Sequence, residues 1–183
     1  MSKKRIYSCG DAAEKDAYHY TQCGLDNVFL VSGYTREEVD GKEYVRIMNV
    51  EGLWKAIGIS IATELSSLAP EEIRFLGSHM ELTQPELAKK LGVDVQTFAR
   101  WEKNQTQLSG PADLAIRTLF LTSPVAQPEG SEIIGDLYAI IEKREDVTKP
   151  DFSAKRLIRT MDIAGNKWTT STDSNQLELQ GMR

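Results

Sequence analysis

Residues 82–106 have the sequence LTQPELAKKLGVDVQTFARWEKNQT, and this stretch decides the fold of the middle of the chain. Thr83 suits a helix N-cap, because its hydroxyl can accept a hydrogen bond from a free backbone N–H. Pro85 and Glu86 suit a first turn, where proline loses no hydrogen bond and a carboxylate meets the positive end of the helix dipole. Gly92 follows the last apolar position and can adopt the left-handed conformation that ends a helix. The stretch therefore predicts two short helices joined at Gly92.

Each of these two helices has an apolar side and a polar side. The inward side of the first helix is formed by three apolar residues at helical spacing, Leu87, Ala88 and Leu91. Asp94 is a suitable N-cap for the second helix, in which Phe98 and Trp101 share the inward side. The outward side of the second helix then carries Val95, Gln96, Ala99, Arg100 and Lys103. This order predicts a helix-turn-helix, which lays its second helix in the major groove of DNA.

The outward side chains are chemically suited to the edges of bases. Glutamine can pair with adenine, arginine can pair with guanine, and valine can pack on the thymine methyl group. Hydroxyls, amides and backbone N–H groups near helix ends can bind phosphate. The predicted DNA-binding residues are Thr83, Gln84, Val95, Gln96, Thr97, Arg100, Lys103, Gln105 and Thr106. The alternative is an ordinary helical hairpin whose polar face is only solvated.

The segment from Leu82 to Thr106 resembles the Xre/Cro family of helix-turn-helix regulators and aligns with it without a gap. The matching residues are Leu82, Gln84, Glu86-Leu87-Ala88, Lys90, Gly92, Gln96, Trp101-Glu102 and Thr106. The resemblance implies that Gln84 contacts phosphate and that Val95, Gln96 and Arg100 contact bases. Two positions depart from the family pattern. Valine occupies the first base-contacting position, and Asn104 stands where glycine is usual, although asparagine also tolerates the left-handed conformation.

Composition and charge limit the classes of protein to consider. The 183 residues are 40% hydrophobic, which supports a folded core, and no apolar run is long enough to span a membrane. Polar residues follow the basic start, so we expect a cytoplasmic protein without a signal peptide. The resemblance to the Xre/Cro family implies a bacterial, nucleoid-associated protein. The net charge is −5, and residues 71–121 hold six basic against seven acidic side chains. Such a balance argues against non-specific coating of DNA. It fits a dimer on a defined operator or a protein that also masks a basic partner.

The whole chain is predicted to be α+β and mostly α, in four parts. Residues 1–20 form a polar, loosely ordered N-terminal segment. Residues 21–68 form a β-hairpin plus a linking helix, which binds a partner or dimerises. Residues 69–122 form an all-α helix-turn-helix domain of Xre type with about five helices. Residues 123–183 form a helical extension with a flexible polar tail.

The N-terminal hairpin is predicted from two β-rich runs, at 27–34 and 43–48, separated by a charged loop that contains Asp40-Gly41. Two strands alone are marginal, so they must pack on a helix or on a second copy. Asn49 is expected to cap that helix, from Val50 to Leu65.

Further helices are predicted on both sides of the helix-turn-helix. One begins at Ser67 or Pro70, and another runs from Ser109-Gly110-Pro111 to Leu121. Ser131 to Lys143 is predicted to be a helix whose dense apolar stripe either docks on its own core or forms a dimer seam. Residues 151–161 are predicted to form a short helix, and residues 169–183 a flexible tail.

The sequence gives no sign of catalysis. Cys9, His19, Cys23 and Asp26 form the one cluster worth weighing as a metal site, but structural zinc needs four ligands that usually arrive as close cysteine pairs. With two cysteines in the chain, a disulfide framework is not expected either. No nucleophile elbow, phosphate loop or pair of catalytic carboxylates is present. We therefore predict no enzyme, no metal and no cofactor.

The overall order, a β-hairpin domain, a linking helix and then the helix-turn-helix, is similar to that of the MqsA-like antitoxins. In that family a zinc-binding N-terminal domain contacts the toxin, and the helix-turn-helix represses the operon; the zinc cysteines are absent here. The principal hypothesis is a homodimeric repressor that binds a palindrome in double-stranded DNA through the helix Asp94–Asn104. The alternatives are an antitoxin that binds a toxin and represses its own operon, and an interaction module whose helix-turn-helix is a scaffold.

Overall fold

The structure, a computed structural model, describes residues 5–8, 17–126 and 158–173 and has an α+β fold. The described residues fall into two compact units. Unit 1 holds those within 1–22, 26–56 and 155–183, and unit 2 holds those within 23–25 and 57–154. Unit 1 is built around β-sheets and unit 2 is helical, so the change from strand to helix predicted between the N-terminal and the central part of the chain is present.

Unit 1 contains two sheets. The first has the strand order β1-β4-β5 and is antiparallel, with β1 at Arg5–Ser8, β4 at Tyr34–Val39 and β5 at Lys42–Ile47. The second has the order β2-β3-β6-β7, with β2 at Tyr18–His19, β3 at Val28–Leu30, β6 at Ile158–Ala164 and β7 at Lys167–Asp173. Its central pair, β3 and β6, is parallel, whereas the outer pairs are antiparallel.

The hairpin of unit 1 differs from the predicted one in its first strand. The hairpin joins β4 to β5 through Asp40 and Gly41, whose φ angles of 53° and 74° fit the type I′ turn favoured in two-residue hairpins. The predicted first strand, 27–34, instead contributes β3 to the other sheet. The predicted charged loop was wrong, because residues 35–38 are paired on both sides, with β1 and with β5, and Val39 is paired with β5. Charged side chains are compatible with this strand because none of them is fully buried.

Both ends of the chain contribute strands to unit 1. The prediction that residues 1–20 are loosely ordered was wrong at β1 and β2. The predicted helix at 151–161 was wrong at residues 158–161, which begin β6, and the predicted tail was wrong at 169–173, which belong to β7. The apolar residues near 158–161 have helical spacing, but hydrogen bonding of residues 159–161 to β3 favours a strand there instead. The predicted helix at 131–143 and the rest of the extension lie outside the described residues.

The core of unit 1 joins residues from distant parts of the sequence. Trp168 is 5% exposed, and its Nε1 donates to the carbonyl oxygen of Asn49 at 3.0 Å. Its ring also covers Gly33, where an added Cβ would lie 2.5 Å from Trp168 Cη2. Gly33 has a φ of 75°, so both its conformation and its contact require glycine. Buried with Trp168 are Tyr20, Val28, Leu30, Tyr34, Leu53 and Met161.

The described chain has five helices, at Val50–Thr63 (α1), Pro70–His79 (α2), Gln84–Leu91 (α3), Val95–Glu102 (α4) and Gly110–Leu121 (α5). The Asn49 side chain accepts from the N–H of Gly52 at 3.1 Å, which confirms the predicted start of α1. Residues 70–122 hold four of these helices, where five or nearly five were predicted. The fifth helix of unit 2 comes from residues 57–63, the second half of α1, where Gly58 allows close packing of Phe120.

A buried ion pair holds the connection between α1 and α2. Arg117 is 1% exposed and its Nε lies 2.5 Å from Asp113 Oδ1. Asp113 Oδ2 also accepts from the backbone N–H of Leu68 at 2.7 Å. The guanidinium donates to backbone carbonyls of Ile61, Ala62, Glu64 and Ser66. Because these carbonyls lie at and just beyond the end of α1, the arginine replaces the hydrogen bonds that a helix end lacks.

None of the helices within the described ranges is long and apolar enough to cross a membrane.

Candidate nucleic-acid interface

The first motif helix, α3, begins and ends where predicted. Thr83 occupies the N-cap position, but its hydroxyl makes no cap hydrogen bond to the backbone and donates instead to Glu86 Oε2 at 2.6 Å. Glu86 also accepts from the backbone N–H of Thr83 at 2.8 Å, so the glutamate supplies the cap. These two hydrogen bonds, that from the hydroxyl first, lower the pKa of Glu86. The threonine hydroxyl predicted to bind phosphate is thus engaged by a carboxylate.

The turn and the start of α4 follow the sequence prediction closely. Gly92 has φ 69° and ψ 29°, the left-handed conformation, and the N–H of Val93 donates to Ala88 at 3.0 Å. Asp94 is the N-cap of α4 and accepts from the N–H of Thr97 at 2.9 Å. The Thr97 hydroxyl donates to the same carboxylate at 2.5 Å and is the main cause of the lowered pKa of Asp94. Thr97 therefore fixes the helix start, although it was predicted to contact phosphate.

The inward side of α4 is anchored by aromatic residues. Phe98 is fully buried and Trp101 is 7% exposed, with their rings edge to face and centroids 6.1 Å apart. Leu87 and Ala88 of α3 are buried as predicted. Helix α2 passes close to α3 at Gly77, where an added Cβ would lie 2.8 Å from Leu87 Cδ1. The orientation of α4 about its own axis is consequently fixed by packing on its inward side.

A polar cluster joins the end of α4 to α2 and α3. Glu102 is 8% exposed, and its carboxylate accepts from the side-chain amide of Gln84. Its carbonyl oxygen accepts from Arg74 of α2. The roles of Arg74 and Glu102 were missed by the sequence analysis, since nothing in the spacing of residues 74, 84 and 102 indicates contact. Gln84 is exposed, so its amide is oriented by Glu102 while the rest of the side chain remains open to solvent.

The outward side of α4 is open to solvent. Val95 is 41% exposed, and Gln96 and Arg100 are also exposed, as predicted. Lys103 follows at the helix end, again exposed. Among the residues that the structure describes, Arg100 and Lys103 have no ion-pair partner. Both cations on this side are therefore available to an external ligand.

The segment after α4 closes the motif. Asn104 has φ 55°, which confirms that the residue in place of glycine adopts the left-handed conformation. The N–H of Gln105 donates to the carbonyl of Arg100 at 2.8 Å. The side chains of Gln105 and Thr106 are exposed. The structure thus gathers the nine predicted residues at the ends of α3 and α4 and on the outward side of α4.

Four acidic residues of this region have partners other than Arg100 and Lys103. Glu102 is buried against Gln84, and Asp113 neutralises Arg117 in the core. The carboxylates of Glu86 and Asp94 are engaged as helix caps. The net charge of the segment is therefore a poor guide to its outward side, where both charged groups beyond the cap are cations.

The side chains weighed as a metal site from the sequence were Cys9, His19, Cys23 and Asp26. His19 Nε2 donates to the carbonyl of Asp26 at 2.8 Å, and its ring stacks on Phe29 at 4.6 Å between centroids. Cys23 is half-buried. Within the described ranges, no three histidine, cysteine, aspartate or glutamate side chains come together as metal ligands; Cys9 lies outside those ranges.

Comparisons of this chain with models of known protein families, with curated proteins and with solved structures found no match.

Proposed function

We propose that this protein is a dimeric, sequence-specific DNA-binding regulator of transcription that acts as a repressor. The observation that carries the proposal is the outward side of α4, where Val95, Gln96 and Arg100 are exposed side by side. These three side chains offer an apolar contact, an amide pair and a guanidinium fork, the groups that distinguish bases in the major groove. The eight-residue helix α4 would therefore be the element that contacts the bases.

The rigidity of α4 supports direct contact with bases. Base recognition needs side chains held at fixed positions, because paired hydrogen bonds tolerate little displacement. Phe98 and Trp101 fix the rotation of the helix, Asp94 fixes its first turn, and Arg74 fixes its last carbonyl. A merely solvated polar face has no need of these restraints at both ends.

The positions of Gln84 and Lys103 support contact with phosphate. Gln84 is the first residue of α3, where backbone N–H groups and the helix dipole favour an anion. Its amide, held by Glu102, keeps a second N–H that can donate to a phosphate oxygen. Lys103 is exposed beyond the end of α4, so its flexible side chain can reach the backbone of DNA.

The experiment begins with selection of bound duplexes from a randomised pool by the full-length chain, followed by fluorescence anisotropy on the selected duplex. Arg100→Ala is expected to weaken binding by about 1–3 kcal/mol and to relax the base preference at one position. Lys103→Ala is expected to weaken binding to all duplexes alike and to reduce the salt dependence by about one counterion.

Lys167→Ala provides the matched control, because it removes one exposed lysine from β7 in unit 1 without touching the helix-turn-helix. It should bind the selected duplex like the wild type. The proposal is wrong if the wild type selects no sequence at low salt, or if Arg100→Ala and Lys103→Ala both bind as the wild type does.

A further inference from the structure

One edge of the β1-β4-β5 sheet has hydrogen-bonding groups that face outwards. The N–H of Met48 donates to Gly33 at 2.8 Å, and the two-residue turn closes the other end of the β4–β5 ladder. Because hydrogen-bonded and non-bonded pairs alternate in an antiparallel ladder, Lys42, Tyr44 and Arg46 bond to β4. The N–H and C=O groups of Glu43, Val45 and Ile47 therefore point away from β4. No other described strand pairs with β5.

The side chains of β5 are exposed enough to meet another chain. Tyr44 is 54% exposed and Met48, just after the strand, is 52% exposed, both on the same face as Arg46. Val45 is half-exposed on the other face. An edge of six residues that no described strand covers is a template for an added strand. Charged residues along such an edge exclude most pairings.

Those charges discriminate between registers if the added strand is β5 of a second copy. A two-fold axis perpendicular to the sheet places one residue opposite itself, and its neighbours then pair symmetrically. If the two-fold axis passes beside Glu43 or Arg46, that charged residue lies opposite the same residue of the other copy. If the axis passes beside Tyr44, Lys42 of one copy lies opposite Arg46 of the other. Like charges directly opposite each other destabilise a pair of strands.

Centring on Val45 opposes no like charges. In this register Val45 faces Val45, Glu43 faces Ile47, Tyr44 faces Arg46 and Lys42 faces Met48. The Arg46 guanidinium then meets the Tyr44 ring of the other copy, a favourable cation–π arrangement. The outward N–H and C=O groups of Glu43, Val45 and Ile47 also become paired with those of Ile47, Val45 and Glu43, the fullest ladder that this edge can make.

We propose that two copies of this protein dimerise by antiparallel pairing of their β5 edges, with Val45 opposite Val45 on the two-fold axis. The partner is a second copy because the strand Lys42–Ile47 is complementary to itself in this register, which opposes no like charges and pairs every outward-facing residue of the strand. The dimer gives the regulator proposed above its paired helix-turn-helix units, but dimerisation itself is measured without DNA. Failure to dimerise through β5 can therefore be distinguished from failure to bind DNA.

The test uses Val45→Lys and Val45→Glu, because each places two like charges on the axis and their mixture places opposite charges there. Sedimentation equilibrium of the full chain at low salt should give a wild-type dimer. Each variant alone should dimerise on the order of tenfold more weakly, and an equimolar mixture should recover dimers. Recovery on mixing cannot arise from an effect on folding of either variant alone.

The equivalent mixture of Tyr44→Lys with Tyr44→Glu controls the register, since residue 44 faces residue 46 rather than itself. We expect no comparable recovery from that mixture. Val45→Pro is a second variant that removes one outward N–H at the axis and leaves the bonds to β4 intact. It should be monomeric, with circular dichroism showing that it is folded.

Three results would overturn the proposal: a wild type that is monomeric without DNA, a folded Val45→Pro that dimerises like the wild type, or no recovery on mixing the lysine and glutamate variants at position 45. Recovery in the Tyr44 mixture instead of the Val45 mixture would overturn the assigned register and so the proposed axis.

Discussion

The helix-turn-helix and the β2-β3-β6-β7 sheet are specified over very different distances along the chain. In α3 and α4 each start or stop signal acts within a few residues: Glu86 on Thr83, Gly92 on the end of α3, and Asp94 on Thr97. In the sheet, β3 pairs in parallel with β6, and Ser32 donates to Asp162, 130 positions away. The difference shows that the helical motif is encoded locally, whereas the sheet exists only where the two ends of the chain meet.

The largest expected effect comes from Trp168→Ala in unit 1. The substitution removes a buried ring that packs over Gly33 and donates to Asn49, so unfolding should become easier by about 3–5 kcal/mol. Hydrogen exchange should locate the loss in the amides of β3, β6 and β7. The amides of α3 and α4 should keep their protection. An equal loss of protection in α3 and α4 would contradict the difference drawn between the two regions.

A smaller effect is expected from Asp94→Ala, which removes a local signal. Loss of the N-cap should lower the melting temperature slightly and speed hydrogen exchange in the first turn of α4. Asp94→Asn is the matched control, because asparagine keeps an acceptor oxygen for the cap and should melt close to the wild type at neutral pH.

The same aspartate links this local signal to pH. The Asp94 pKa is lowered in the folded protein, so its contribution is present above the ordinary value of 3.8 and is lost as the pH falls through the folded pKa. Asp94→Asn should lack that part of the acid destabilisation in thermal melts. Acid melts of Asp94→Asn that fall as steeply as those of the wild type would contradict the assigned role of the carboxylate.

The smallest effect concerns His79, at the end of α2. Burial lowers its pKa, and Glu81 opposes the shift. The unfolded chain then takes up the proton more readily, so the stability contribution of neutral His79 is present above the ordinary pKa of 6.5 and decreases as the pH falls below it. His79→Phe, flanked by Phe75 and Phe120, should flatten the change in melting temperature between pH 7.5 and 5.5. His19→Phe, in unit 1, is the control, because it leaves His79 in place, and it should retain that change.

The sequence predicted the helical part of the fold well because its signals are local. The bounds of α3 and α5, the start of α4, the caps at Gly92 and Asp94 and the inward side of Phe98 and Trp101 agree with the structure. Helix α4 ends at Glu102, two residues before the predicted end at Asn104, because Asn104 adopts the left-handed conformation. The outward positions of Val95, Gln96 and Arg100 follow directly from that inward side. A helix repeats every 3.6 residues, so one buried side fixes the other.

The predictions for unit 1 were weaker because sheet formation depends on partners that spacing cannot reveal. Residues 35–39 are charged enough to suggest a loop, yet they lie between β1 and β5. Residues 158–161 have apolar side chains at helical spacing, yet they pair with β3. In the candidate site, the same limit explains why Arg74 and Glu102 were not identified as the groups that hold Gln84 and α4.

The sequence alone determined where the helices of the motif begin and end and which side chains of α4 face outward, since hydrogen bonds of caps and turns span only a few residues. Only the tertiary structure decided that β3 and β6 share a sheet, that Glu102 orients Gln84, and that β5 is an edge strand among the described residues. Each of these depends on closing a long loop, and the contacts that compensate for that loss of entropy come from residues far apart in the sequence.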